Sequence, residues 1–570
     1  MKHLFKFNTV ESAITLLLFG SLLLGVSYIS VLPIWEGFDE TAHFSYIQQV
    51  ADSKKLPLGG KDRISKDVEK YYAYAPVPYT IWADLQDNDK LSYQSFFSKP
   101  VEFLLRSKEF IHSTLDSPRK YLPGRGTNWE SQHPPLFYIL LSPVYLITSE
   151  LSWGKQIFIL RIVSYTFAWL GLVIAVFTCL DVAKNQSSQN KTSQWHWATI
   201  GAGLWPFFFP AWFSGMARIG NDSFCCLLLS LTWFVSIKMT GKGVSLKYFL
   251  LLGLLLSLGC LTKVIFIPIS IAVLSFLLLR ECKLRGRNGF LKTIWLCSFV
   301  IAAILTSSGW WYWNNYEQYG VITGNIDLKF IKQAGGLWNG LESNFSFFQW
   351  ARSHAALLVT VGWIGSWSLV KPPLITLFPI ALILLLMMYA YIRSIQHSKL
   401  TSEKWLIIWL LLPILTILSY HVLIRIALTG EGRGTPGFYL HILAGPISAA
   451  LGLSLYEVWG KDLFRRLIQV LFCYIILFTI SMNWAQSLFF SGIVSASESE
   501  RTYLFPEQLP PFLGLVEAYQ NLQIIAYPNI SLLCLILGWS ITLTGLVFTK
   551  QYFNESIQSL LSTTKLSSKN

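Results

Sequence analysis

The sequence predicts an all-α polytopic membrane protein, and the composition and the apolar runs of the chain are the two observations behind that prediction. Of its 570 residues, 53% are hydrophobic and only 13% are charged, and the mean hydropathy is +0.46. A soluble domain usually has about a quarter of charged residues. Apolar runs near or above roughly 18 residues, the length that crosses a bilayer as a helix, recur along the chain. About 12 transmembrane helices are predicted, at 13–32, 157–180, 197–213, 224–239, 248–261, 264–279, 294–313, 373–392, 405–423, 438–459, 467–490 and 530–548.

The first apolar run indicates an uncleaved span that leaves the N-terminus in the cytoplasm. The stretch "SYISVLPIWEG" that ends the run offers Ser, Val and Pro where a signal peptidase requires small residues. Lys2 and Lys6 precede the run and few basic residues follow it, which is the charge bias of a cytoplasmic N-terminus.

One apolar segment, 134–148, is too short for a full span, and we expect a half-embedded helix there. Counting it as a span would put the later basic clusters outside, against the positive-inside bias. With it half-embedded, those clusters and the C-terminus are cytoplasmic, and the polar segments 33–156, 314–372 and 491–529 are outer loops. The net charge of +14 then reflects topology, and no nucleic-acid surface is predicted.

The eight cysteines indicate no disulfide framework, because none of them lies in a long outer loop. No CxxC pair or His-rich metal motif occurs in the sequence.

Carboxylates stand at the lipid edge in "IWEGFDETAH", directly after the first span. Carboxylates at this depth are expensive to desolvate, so Asp39 and Glu40 are candidates for a functional site. The alternative is that Asp39 is only the N-cap of a helix that begins here. Later in the same loop, "QHPPL" places His133 before a Pro pair that opens the half-embedded helix, and an ordinary entry turn is the alternative.

Three more polar residues fall at the same predicted depth in short outer turns. Asp222 follows Asn221 in "RIGNDSF", where a helix cap is again the alternative. Lys263 interrupts a long hydrophobic stretch in "CLTKVIFIP", so we expect an anionic partner for it unless it reaches to the headgroups. Arg433 lies between glycines in "GEGRGTPGF", where the backbone can approach a ligand closely, although it could be an ordinary loop arginine.

Together these residues predict carboxylates and cations at one membrane face. A carboxylate can take the proton of a hydroxyl while cations stabilise a departing phosphate. That combination is the chemistry of glycosyl transfer from a lipid phosphate.

At these residues the chain resembles the GT-C superfamily of membrane glycosyltransferases. Within it, the chain is similar to the dolichyl-phosphate-mannose-protein mannosyltransferase-like and lipid A aminoarabinose transferase-like families. The matching motifs, in the family's order over roughly residues 1–450, are "FDETAHFSYI", "QHPPLFYILLSP", "RIGNDSF", "CLTKVIFIP", "WWYWNNYEQYG" and "EGRGTPGFYLHILAGP". The late motif departs from the family because Gly434 replaces the usual aromatic residue after the arginine.

The resemblance implies a GT-C-type helical bundle that takes a polyprenyl-phosphate-linked sugar and acts on the outer face of the inner (plasma) membrane. It implies Asp39 as the essential carboxylate with Glu40 beside it, and Asp222 at the second acidic position. Lys263, Arg433 and His133 match the positions that contact the donor phosphate.

We therefore expect an inverting hexosyl- or pentosyltransferase in which Asp39 is the general base, and whose acceptor is a lipid, glycan or protein hydroxyl. No cofactor is required, although a divalent metal held by Asp39 and Asp222 stays an alternative. Three modules are predicted: 1–313 with the catalytic residues, 314–372 with interfacial or re-entrant helices, and 373–570. A secondary transporter, a lipid-linked glycan flippase and a non-enzymatic envelope assembly protein are the other functions considered.

Overall fold

The computed structural model describes residues 9–57, 61–78, 91–114, 117–185, 189–209, 211–362, 367, 374–396, 398, 403–432, 434–435, 437–494 and 514–567. This part of the chain is almost entirely helical. Its α-helices, in chain order, are α1 Thr9–Val31, α2 Glu40–Ser53, α3 Lys66–Tyr71, α4 Tyr93–Phe97, α5 Val101–His112, α6 Leu136–Thr148, α7 Trp153–Asn185, α8 Gln189–Phe208, α9 Ala211–Met216, α10 Asn221–Lys242, α11 Leu246–Cys260, α12 Phe266–Tyr319, α13 Ile326–Gln333, α14 Leu337–Asn344, α15 Phe347–Val361, α16 Leu374–Gln396, α17 Glu403–Thr429, α18 Ala444–Phe490, α19 Gly514–Ile525 and α20 Pro528–Ser567.

The prediction of an all-α polytopic membrane protein is confirmed. Eight helices of the described ranges are long and apolar enough to cross a membrane. Each of the 12 predicted spans falls on helical structure, because two long helices each cover two of the spans and shorter helices supply the rest.

The two long helices turn back on themselves. α12 has 54 residues, which would make a straight helix of about 80 Å, more than twice the thickness of a bilayer core. Gly286 breaks it, with φ 61° and ψ −147°, and the hydroxyl of Tyr312 near its end donates to the carbonyl of Cys260 at 2.6 Å. α18 has 47 residues and also cannot be straight, because the chain enters it just after Phe438 and leaves it at Phe490, and both residues lie beside Phe38.

Charged pairs define one end of the bundle, which we call the Lys184 end. Lys184 at the end of α7 pairs with Glu11 at the start of α1, with 2.6 Å between Nζ and Oε1. Lys238 of α10 pairs with Asp181 of α7 at the same end. The other end, where α1 finishes, is called the Asp39 end.

The segment between α1 and α7 forms a layer over the Asp39 end. It contains α2 to α6 and a two-stranded antiparallel sheet, in which β1 (Arg63–Ser65) pairs with β2 (Pro123–Thr127) in the register Arg63 to Thr127 and Ser65 to Pro123. The sheet was not predicted. Buried aromatic rings hold the layer to the bundle, with Trp35 packed against Phe44 and Trp153 at 5.1 and 5.7 Å between ring centroids.

The apolar helix α6 stays at the Asp39 end, as predicted for the half-embedded segment 134–148. At its start, the amide of Leu136 donates to the carbonyl of Leu261, 3.0 Å away in the turn before α12. Near its end, the carbonyl of Tyr145 accepts a 3.3 Å hydrogen bond from the side chain of Gln156, in the first turn of α7. Because both ends of α6 meet the Asp39 end, this helix does not carry the chain across the bundle.

Candidate active site

The chain leaves α1 through a tight turn in which two residues have unusual backbone angles. Trp35 and Asp39 both have positive φ, 69° and 60°. The left-handed region is uncommon for Asp and a genuine outlier for a bulky residue such as Trp, and such outliers concentrate at functional sites. Gly37 between them is required, because a Cβ there would lie 2.6 Å from the Cβ of Arg218.

Asp39 occupies the N-cap position of α2, but its carboxylate does not cap the helix. No hydrogen bond runs from the first-turn amides to this side chain. Oδ1 instead accepts a 2.7 Å hydrogen bond from the indole Nε1 of Trp129, 90 residues later in the chain. The alternative interpretation of the carboxylate as a helix cap is therefore wrong, and the half-buried side chain is turned toward the polar cluster described next.

A cluster of one carboxylate and two imidazoles lies beside Trp129. The 3₁₀ helix Trp129–Gln132 carries Glu130, whose Oε2 lies 3.0 Å from Nε2 of His133 and 3.7 Å from Nε2 of His43. His43, on the first turn of α2, also contacts the hydroxyl of Tyr138 at 2.9 Å. His133 was predicted as a phosphate contact, and the structure gives it Glu130 as a partner.

The position of this cluster is set by hydrogen bonds to the 3₁₀ helix. The side chain of Asn128 accepts from the amide of Glu130 at 3.0 Å and donates to the carbonyl of Ala42 in α2 at 3.1 Å. Trp311 and Asn315 of α12 both donate to the carbonyl of Gln132, at 3.2 and 3.1 Å. The segment that carries Glu130 and His133 is therefore held between α2 and α12.

Asp222 joins two cations. It lies in the first turn of α10 but is not its cap, since Gly220 occupies the N-cap position. Its carboxylate accepts from the guanidinium of Arg218 at 2.7 Å and forms an ion pair with the ammonium of Lys263. The anionic partner expected for Lys263 is thus Asp222, and the cap alternative for Asp222 is wrong.

Aromatic rings cover the two cations. The guanidinium carbon of Arg218 lies 5.8 Å from the ring centroid of Phe38 and 5.4 Å from that of Phe438. The ammonium of Lys263 lies 5.2 Å from the ring of Tyr439. These distances are in the range of cation–π attraction, which is strongest where water is excluded. Arg218 also donates to the carbonyl of Phe38 at 3.2 Å, which ties this pair of cations to the turn that carries Asp39.

Glu40 is locked in a different set of contacts from its neighbour Asp39. Arg161 of α7 donates to both of its oxygens, with Nε–Oε1 at 2.7 Å and NH2–Oε2 at 2.6 Å. The amide of Ile219 donates to Oε1 as well, at 3.0 Å, and the side chain is fully buried. These contacts favour a positioning role for Glu40, whereas the sequence placed it among the catalytic residues.

The electrostatic environment gives the two carboxylates nearest to Trp129, those of Asp39 and Glu130, different pKa values. Burial and the charge of Glu130 raise the pKa of Asp39 from 3.8 to about 6, against the opposing charges of Arg218 and Lys263. Burial alone would raise the pKa of Glu130 too, but His133 and His43 hold it well below its usual range. Burial lowers the pKa of His43 to about 4. Asp39 is consequently the carboxylate of this site that can take up a proton near neutral pH.

The structure thus brings together Asp39, Glu40, His133, Asp222 and Lys263, and it does not describe Arg433. The neighbour Gly434 has a φ of 95°, a left-handed conformation that favours glycine. Nearby, Thr435 contacts His421 at 2.7 Å, and His421 and Arg425 both face Asp327.

Among the described residues, no group of three or more His, Cys, Asp and Glu side chains is arranged to hold a metal ion. Asp222 is turned to Lys263 and Arg218, and Asp39 is turned to Trp129.

Sequence reasoning missed three residues of the site, although signals for two of them were present. Glu130 precedes His133 by three residues in one polar stretch, and His43 lies one helical turn after Asp39. Arg218 lies four residues before Asp222, which is the spacing of an ion pair on a helix, but Arg218 itself precedes α10.

The fold and the site define a polytopic α-helical membrane protein with a buried cluster of carboxylates and cations at one end of its bundle. No family model matches the chain, and no curated protein matches it. Among solved structures, ArnT from Cupriavidus metallidurans bound to undecaprenyl phosphate is similar over 93% of this chain and 77% of that chain, with 12% identity and a TM-score of 0.43. The apo state of the same protein is similar over 78% of this chain and 68% of that chain, with 13% identity and a TM-score of 0.38.

Proposed function

We propose that this protein is an inverting glycosyltransferase that moves a sugar from a polyprenyl phosphate to an acceptor hydroxyl. The reaction takes place at the Asp39 end, which is the outer face of the plasma membrane, with both termini in the cytoplasm. The donor is of the same class as the undecaprenyl phosphate bound in the ArnT structure. The sugar is a hexose or a pentose, and the acceptor is a lipid, a glycan or a protein.

The observation that carries the proposal is a carboxylate, Asp39, that lies near two cations in one polar cluster and pairs with neither of them. Asp39 lies within electrostatic reach of both Lys263 and Arg218, yet its own hydrogen bond goes to the neutral indole of Trp129. A base and a phosphate-binding pair of cations are the two parts that the reaction needs.

In the proposed reaction, Asp39 takes the proton of the acceptor hydroxyl while the hydroxyl oxygen attacks the anomeric carbon of the sugar. The bond between that carbon and the phosphate oxygen breaks on the opposite side, so the configuration at the anomeric carbon inverts. The electron pair of the broken bond stays on the polyprenyl phosphate. Because the leaving group is a phosphate anion, the conjugate base of an acidic phosphate monoester, no general acid is required.

Lys263 and Arg218 stabilise the negative charge that builds on the departing phosphate. An ammonium has three donors, of which Asp222 takes one, and a guanidinium has five. Asp222 then acts by keeping the two cations side by side, a narrower role than the catalytic one expected from the sequence. His133 and Arg433 complete the phosphate contacts in this proposal.

The two cations supply the charge stabilisation that a divalent ion provides in other phosphate-transfer sites. We therefore propose a reaction without a cofactor or a required metal. A transporter or flippase would place its ionisable residues on broken helices near the middle of the membrane. The position of this cluster at one end of the bundle favours transfer over transport.

The test is to substitute Lys263 and to measure donor binding and transfer separately in proteoliposomes, with a radiolabelled polyprenyl-phosphate sugar. Lys263→Ala should weaken donor binding and lower the transfer rate, because it removes a charge that faces the phosphate in a poorly solvated site. Lys263→Arg should retain part of both. The exposed Lys99→Ala serves as the matched control and should leave both unchanged. Wild-type donor binding and transfer in Lys263→Ala would contradict the proposal.

A further inference from the structure

A second groove opens at the Lys184 end of the bundle, on the side away from the candidate active site. It has a volume of about 740 Å³ and lies between α1, α7 and α10. Ile14, Ile174, Phe177 and Phe234 are among the apolar residues of its walls. Its rim carries the four charged side chains Glu11, Asp181, Lys184 and Lys238.

The apolar walls of the groove face the hydrocarbon of the bilayer. Phe177 is 54% exposed on a helix that spans the membrane, which is the environment of acyl chains. An empty apolar groove at this depth would lose dispersion contacts along its whole lining, whereas a flexible acyl chain would restore them.

The four charges lie at the level of the lipid headgroups. Glu11 comes just before the predicted span 13–32, and Asp181 and Lys184 come just after the predicted span 157–180. Asp181 and Lys184 are three residues apart on α7 and so lie on one face of that helix. Their partners are Lys238 and Glu11, which places both ion pairs within one turn of α7.

The charges of the rim add up to zero, and this favours a headgroup that carries both a negative and a positive charge. Two ammonium groups and two carboxylates give a net charge of zero, so a purely anionic headgroup would gain from the lysines and be repelled by the carboxylates. A headgroup with a phosphate and a primary ammonium satisfies both. The lysines donate to the phosphate oxygens, and the carboxylates accept from the N–H groups of the ammonium. A quaternary ammonium has no N–H group to donate.

We propose that this groove is a binding site for one phospholipid with a primary-amine headgroup, of the phosphatidylethanolamine type. One acyl chain lies along the apolar wall between α1, α7 and α10, and the headgroup meets the two ion pairs of the rim. The site is separate from the donor site at the other end and does not depend on the proposed activity.

The test is lipid binding to the purified full-length chain in detergent, by native mass spectrometry, with lipids of identical acyl chains. Phosphatidylethanolamine should bind roughly tenfold more tightly than phosphatidylcholine, the factor that one hydrogen bond to a charged group is worth. Phosphatidylglycerol should bind more weakly than phosphatidylethanolamine. Equal binding of phosphatidylethanolamine and phosphatidylcholine, or tighter binding of phosphatidylglycerol, would overturn the proposal.

Two variants localise the effect, and a third is their control. Lys184→Ala removes a contact to the phosphate, which both phospholipids carry, and should weaken the binding of both. Thr15→Phe keeps every charge and fills the groove from an exposed position of α1, so it should abolish the preference even if Lys184→Ala folds poorly. Lys283→Ala removes an exposed positive charge of α12 that does not line the groove, and it should bind as the wild type does. A tenfold preference that survives in Thr15→Phe would show that the lipid binds elsewhere.

Discussion

The substitution Asp39→Asn separates a catalytic carboxylate from a structural one, because the two roles predict opposite results. Asparagine keeps the shape of the side chain and an oxygen that accepts from Trp129 Nε1, but it cannot take a proton. If Asp39 is the general base, the transfer rate should fall by roughly 10²–10⁴-fold while donor binding is retained.

The same substitution should make the protein at least as stable at neutral pH. A pKa raised from 3.8 to about 6 means that keeping the carboxylate charged in the folded protein at pH 7 costs about 3 kcal/mol. Since the folded-state pKa is the higher one, this penalty is absent below about pH 4 and grows as the pH rises toward 6. Asp39→Asn removes it, so its unfolding free energy at pH 7 should exceed that of the wild type by up to about 3 kcal/mol. The difference should vanish below about pH 4.

The measurements are initial transfer rates in proteoliposomes and chemical unfolding in detergent at pH 4 and pH 7. Glu102→Gln, an exposed carboxylate on α5, is the matched control and should change neither. A wild-type transfer rate in Asp39→Asn would refute its role as the base. Unfolding at lower denaturant concentration at pH 7 would show that the carboxylate stabilises the turn, contrary to the raised pKa.

Three further results are expected from the same structure. Glu130→Gln removes the charge that raises the pKa of the proposed base, Asp39, so the acidic limb of the pH–rate profile should move to lower pH. If the limb does not move, the group that titrates there is not Asp39. Glu40→Gln leaves a buried guanidinium without its counter-charge and should lower the unfolding free energy by roughly 3–5 kcal/mol, read from denaturant unfolding. The topology can be tested by placing single cysteines in a background in which the exposed Cys282 is replaced by Ser. A cysteine that replaces Lys184 should react with a membrane-impermeant maleimide only from the cytoplasmic side, and one that replaces Arg125 only from the outer side. Labelling of both from one side would contradict the topology.

The membrane-spanning helices could be predicted from the sequence because the bilayer sets the length and apolarity of each of them. The connections between the spans could be predicted less well than the spans themselves. The basic segment 280–292 connects two predicted spans, yet it lies within α12, since Arg, Lys and Leu are good helix formers and only Gly286 has non-helical backbone angles there. The sheet of β1 and β2 joins segments about 60 residues apart and has no periodic signal in either strand.

The site residues could be predicted in part, because a charge at the edge of a long apolar run is conspicuous in any membrane protein. Their partners depend on contacts between distant segments. Asp39 meets Trp129 across 90 positions, and Glu40 meets Arg161 across 121. No local pattern around Asp39 and Glu40 distinguishes the carboxylate that is neutralised by a guanidinium from the one that is not.

The distinction between these two adjacent carboxylates explains how the proposed base keeps a raised pKa beside two cations. Arg161 binds Glu40 from the bundle side and, with the left-handed conformation of Asp39, turns the neighbouring side chain the other way, toward Trp129. There the carboxylate meets an indole N–H and the charge of Glu130, which His133 and His43 hold ionised. Lys263 and Arg218, which would otherwise lower the pKa of Asp39 by direct pairing, are engaged by Asp222. Asp222 thus contributes to both parts of the proposed site, because it holds the two cations where we propose that a phosphate meets them, and among the described residues it leaves Asp39 without an ion-pair partner.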